Sequence, residues 1–80
     1  MKIETAKTRI ANAVKRELKN ETQAVKDYIA NMIFLHYNCL ENDSTSSFTS
    51  TENLRYAIDT TLYNGDLSEL LEEARRETSK

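Results

Sequence analysis

The chain contains no proline and a single glycine, Gly65. Proline breaks a helix through its missing N–H and its ring, glycine through the conformational freedom it gives up. Through residue 40, therefore, nothing interrupts an α-helix. Within that span Ile3, Ala6, Ile10, Val14, Leu18, Val25, Tyr28, Met32, Leu35 and Cys39 recur at intervals of three, four or seven. Such recurrence marks one face of a helix. Lys15, Arg16, Lys19, Lys26 and Asp27 fall on the other side, as amphipathicity requires. The pattern predicts an all-α protein that begins with a long helix over about residues 3–39.

Asn20-Glu21-Thr22 is the one place where that helix has reason to bend or break, with Asn20 ending one segment and Thr22 capping the next. The apolar phase nevertheless carries across these residues, since Val14, Leu18, Val25 and Met32 stay on one stripe. Phase continuity favours a single helix of about 36 residues, about 54 Å long at 1.5 Å per residue. Two short helices cannot cover that length. The expectation is a homodimer paired along Val14, Leu18, Val25, Tyr28 and Met32.

The most apolar stretch is Tyr28–Leu40, YIANMIFLHYNCL, in which only Asn31 and Asn38 clearly prefer water. A segment apolar on nearly every side belongs in an interior. It is too short for a bilayer, which takes about 20 apolar residues. We read it as the central buried helix of one small domain spanning residues 1–80. A domain of this size has a marginal core that disulfides, metals or oligomers often supplement. The lone cysteine, Cys39, rules out an intramolecular disulfide and favours a reducing compartment. No uninterrupted apolar run of the secretory type precedes Leu18, so the expected location is the cytoplasm.

Glu41–Ser50 is rich in Ser, Thr, Asn and Asp, which bond to their own backbone and compete with helix. It reads as a polar loop with Phe48 tucked into the core. Thr49 and Glu52 have capping-box spacing and open a helix over about residues 50–63, with Leu54, Ala57, Ile58, Thr61 and Leu62 on its apolar face. Gly65 is expected to end it in the left-handed conformation. Asp66 then caps a last helix over about residues 66–77 that buries Leu67, Leu70, Leu71 and Ala74. The two short helices should form a hairpin folded back on the long one. Tyr63–Leu71, YNGDLSELL, resembles the turn and second helix of a tetratricopeptide unit. Arrays of that family need about three repeats, and this stretch occurs once, so the resemblance implies no function.

Chemistry is sparsely provided for. His36 and Cys39 share a helix face but make only half of a four-ligand zinc site, so the expected reading is a core cysteine and a structural histidine, with no metal and no cofactor. No nucleophile stands beside a base and no glycine-rich phosphate loop exists, so catalysis is not expected. The net charge of −2 hides a polarity. Residues 1–30 carry seven basic residues against four acids, and the remaining fifty carry four against nine. A helix-turn-helix in the C-terminal part is excluded, because its second helix is acidic where phosphate would lie. The expected function is a non-enzymatic interaction module, a small regulator or inhibitor of the kind common in phage and mobile elements. It would meet an unidentified protein partner through Glu69, Glu72, Glu73 and Glu77. The alternative is a nucleic-acid-binding regulator that uses Lys7, Lys15, Arg16, Lys19 and Lys26 in a dimer. No membrane partner is expected.

Overall fold

A computed structural model describes residues 2–43, 45 and 47–79. Ser44 and Ser46 of the expected loop lie outside the described residues. The described chain is all-helical, with four helices and no strand: α1 (Ile3–Glu17), α2 (Gln23–Glu41), α3 (Ser50–Leu62) and α4 (Leu67–Thr78).

The long helix over residues 3–39 is broken between Glu17 and Gln23, which corrects the single-helix expectation. Leu18 leaves helical geometry at φ −120° and ψ 37°. Its carbonyl accepts from the Glu21 amide at 3.0 Å, which closes a tight turn. Thr22 takes an extended conformation, and its hydroxyl accepts from the Val25 amide at 3.2 Å, capping α2. The turn reverses the chain, so α2 runs antiparallel to α1: Lys7 lies over Phe34, while Lys15 lies beside Gln23 and Lys26. Phase continuity failed as a discriminator for a physical reason. Two antiparallel helices that share a core both aim their apolar faces at it, so the stripe persists through the reversal. Leu18 and Val25, on either side of the turn, are both buried.

α2 is the central helix, with α1, α3 and α4 all packed against it. Ile29 and Ile33 on α2 and Ile10 and Val14 on α1 are the largest fully buried side chains. Each contributes roughly 1.5–3 kcal/mol relative to exposure. Ala6, Ala57 and Ala74 are also fully buried. A methyl side chain at a contact point lets two helix axes approach closely.

The expected hairpin of the two short helices is also corrected. α3 and α4 each pack on α2 and make at most marginal contact with each other. α3 follows the C-terminal half of α2, where Tyr56 meets His36 and Asn53 meets Glu41. α4 reaches the N-terminal half, where Glu73 and Glu77 lie near Tyr28 and Arg75 pairs with Glu21 of the preceding turn. A central helix of 19 residues has length enough to dock two partners in succession.

The helix ends follow their caps. Thr49 and Glu52 form the complete capping box at the start of α3. Asp66 accepts from the Glu69 amide at 3.2 Å at the start of α4. Gly65 does not adopt a positive φ, which corrects the left-handed expectation. It is needed for space instead, because a Cβ there would stand 2.5 Å from the Thr60 carbonyl oxygen. Phe48 is 64% exposed and is no core anchor. The corner between α2 and α3 is closed instead by Glu41, whose carboxylate accepts from Tyr37, Ser50 and Asn53.

Candidate interaction surface

The five stripe residues part company in the fold. Val14, Leu18 and Val25 are buried under the chain's own helices, Tyr28 is half-buried, and Met32 is on the surface. A self-association face that includes the first three would require opening the core. The length argument for a second copy also lapses, because the reversal at Leu18–Thr22 lets one chain cover its own stripe.

The acidic set remains exposed. Glu69, Glu72 and Glu73 line a shallow polar shelf of about 420 Å³ on the outer side of α4, together with Asp66 and Arg76. Glu77 lies further along, close enough with Glu73 to push the Tyr28 hydroxyl pKa up, although burial is the larger cause. Arg75 is engaged elsewhere, donating to both carboxylate oxygens of Glu21 at 3.1 and 2.6 Å.

The basic set does not form one surface. Lys7, Lys15 and Lys26 lie along the α1–α2 crevice, with Lys7 Nζ 5.0 Å from the Phe34 ring centroid. Lys19 is exposed in the turn. Arg16 lies on the opposite flank of α1, facing α3. There it joins two arginines outside the expected set, Arg9 and Arg55.

These three arginines border a groove of about 500 Å³ between α1 and α3. Ala13 and Leu54 lie buried beneath it, and its exposed apolar surface comes from the half-buried Ile58 and the half-exposed Tyr63. Asn12, Thr51 and Asp59 also line it. Arg16 Nη2 donates to the Tyr63 hydroxyl at 3.4 Å, which holds the guanidinium further toward its charged form. None of the three arginines is in an ion pair among the described residues.

Over the ridge of α3 lies a second recess, of about 320 Å³, bordered by Phe48, Tyr56 and Thr60. Arg55 and Asp59 line both recesses. Tyr56 is 55% exposed and Tyr63 50%. The Tyr56 ring rests edge-on against His36 at 5.8 Å between centroids, so it is held in place while facing solvent. On α2, Met32, Leu35 and Cys39 are exposed. Cys39 is thus a surface thiol, which corrects its placement in the core.

Sequence reasoning missed this face because it searched for charge rows on α1 and α4 and for core periodicity on α3. The signal was present. Arg55, Tyr56 and Asp59 on α3 and Tyr63 just past its end recur at one, three and four residues, beside the row of Leu54, Ala57 and Ile58.

No group of three or more His, Cys, Asp or Glu among the described residues is placed to hold a metal ion. No helix among them is long and apolar enough to cross a membrane. Comparison with protein-family models, curated proteins and solved structures finds no match to this chain.

Proposed function

We propose that the chain is a small non-enzymatic protein-interaction module of the cytoplasm, a regulator or inhibitor that covers part of a partner protein with the α3 ridge. One observation carries this reading: two half-exposed tyrosines flank Arg55 on that ridge, Tyr63 on the groove side with Arg9 and Arg16 and Tyr56 on the other. Binding energy at protein interfaces concentrates in Tyr, Trp and Arg, whereas Lys, Glu and Asp are depleted there. The α4 shelf has the second composition. In this reading Glu69, Glu72, Glu73 and Glu77 steer the approach rather than anchor the complex. A homodimer paired through Val14, Leu18 and Val25 is no part of this reading, since those side chains are spent on the chain's own core. The nucleic-acid reading is weaker, because Lys7, Lys15 and Lys26 lie across α1 from Arg16.

The test is recovery of tagged protein from the cells that naturally express it. The wild type is compared with the Tyr56→Ala/Tyr63→Ala double variant, after circular dichroism shows equal helicity. A discrete partner lost in the double variant supports the reading. A partner retained there but lost when Glu69, Glu72 and Glu73 are changed to Gln moves the anchor to α4 and overturns the assignment to α3.

A further inference from the structure

We infer that the α1–α3 groove receives an acidic amphipathic helix of the partner, its apolar side on Ile58 and the Tyr63 ring and its carboxylates on Arg9, Arg16 and Arg55. The inference rests on the interaction-module reading and specifies the partner's chemistry.

Shape comes first. A trough between two packed helices that exposes an aliphatic and an aromatic side chain, here Ile58 and Tyr63, has the form that accepts the apolar side of a third helix. Arg9 and Arg16 stand seven residues apart on α1, about 10 Å along its axis. Carboxylates at positions i and i+7 of an incoming helix match that spacing, with leucine or isoleucine between them to meet Ile58 and Tyr63. Charge comes second. Three guanidinium groups face one carboxylate, Asp59, in a chain whose net charge is −2. The groove is therefore a local inversion of the protein's overall sign. Planar guanidinium groups bind carboxylates in paired hydrogen bonds, which fixes orientation as well as affinity.

Two other occupants fit less well. A nucleic-acid backbone would satisfy the arginines but place nothing apolar on Ile58 and Tyr63, and Lys7, Lys15 and Lys26 do not extend the basic track. A second copy would have to offer its acidic helix, α4. The leucines of that helix, Leu67, Leu70 and Leu71, pack against their own core and only Leu70 reaches the acidic shelf, so it presents acids with a single apolar residue rather than a stripe.

The experiment titrates isotope-labelled full-length protein with a synthetic helical peptide of about four turns, leucines on one side and glutamates flanking them. A matched peptide with lysine for glutamate and a generic DNA duplex serve as the other probes. Amide shifts confined to the α1–α3 groove with the glutamate peptide, weakened by added salt, support the inference. Arg9→Ala and Arg55→Ala should each weaken that binding about tenfold or more, the usual effect of losing a charged hydrogen-bond partner, with the remaining spectrum unchanged. Equal binding of the lysine peptide, no shift with the glutamate peptide, or binding indifferent to both arginine variants overturns the acidic partner. The module reading is then judged separately, by the recovery experiment with Tyr56 and Tyr63. Tighter binding of the duplex to the groove overturns both.

Discussion

The side-chain amide of Asn53 donates to a carboxylate oxygen of Glu41 at 2.7 Å, joining the first turns of α3 to the last residue of α2. Asn53 is 2% exposed and is the one buried polar residue among the described residues. Glu41 also accepts from the Tyr37 hydroxyl at 2.9 Å and from the Ser50 hydroxyl. One carboxylate therefore sets where α3 begins to lie on α2, and so where the Tyr56–Tyr63 ridge points.

Asn53→Ala should destabilise the fold by about 1–3 kcal/mol, the cost of removing a buried hydrogen-bonding partner. Urea denaturation followed by circular dichroism measures it. No loss of stability would mean that the Glu41 network does not hold the corner.

The same carboxylate makes stability depend on acid. Donation from Ser50, then from Asn53 and Tyr37, holds the Glu41 pKa below its ordinary 4.5. Arg75 does the same for Glu21. A group whose folded-state pKa is depressed contributes stability that is complete above its unfolded pKa and is lost as pH falls through the folded one. Melting temperature should thus be level near neutrality and decline once pH drops below about 4.5. Glu41→Gln should flatten part of that decline, and an unchanged profile would count against the assignment.

Thr22→Ala separates the broken from the continuous helix. With Thr22 as the cap of α2, the substitution should cost about 1 kcal/mol. In an uninterrupted helix, alanine would instead stabilise by a few tenths of a kcal/mol. The sign of the change in urea midpoint decides between them.

Gly65→Ala should destabilise by more than about 1 kcal/mol even though Gly65 has no positive φ, because the new methyl meets the Thr60 carbonyl oxygen. Thermal unfolding of the variant checks this, and a neutral effect would show that the turn after α3 relaxes freely.

Helix type and the caps of α3 and α4 were legible in the sequence, because local chemistry decides them. Thr49 with Glu52, Asp66 with the Glu69 amide, and the apolar spacing of α3 and α4 all act within one or two turns. The reversal at Leu18–Thr22 was legible only as an alternative, since an unbroken helix and an antiparallel pair place Val14, Leu18 and Val25 on the same stripe. Whether α3 and α4 pack on each other or on α2 depends on contacts such as Glu41–Asn53 and Glu21–Arg75, which no periodicity encodes. The candidate site was hidden for the same reason. Arg9 and Arg16 on α1 and Arg55 on α3 become one cluster only after the two helices are laid side by side.

The most direct test of the α3 ridge as the binding face is photocrosslinking in the cells that naturally express the protein. A benzophenone amino acid replaces Tyr56 in one variant and Glu72 in another. Position 56 should give a discrete crosslinked adduct and position 72 none of comparable yield. An adduct from position 72 alone would contradict the α3 ridge as the binding face and return the interface to the acidic side of α4.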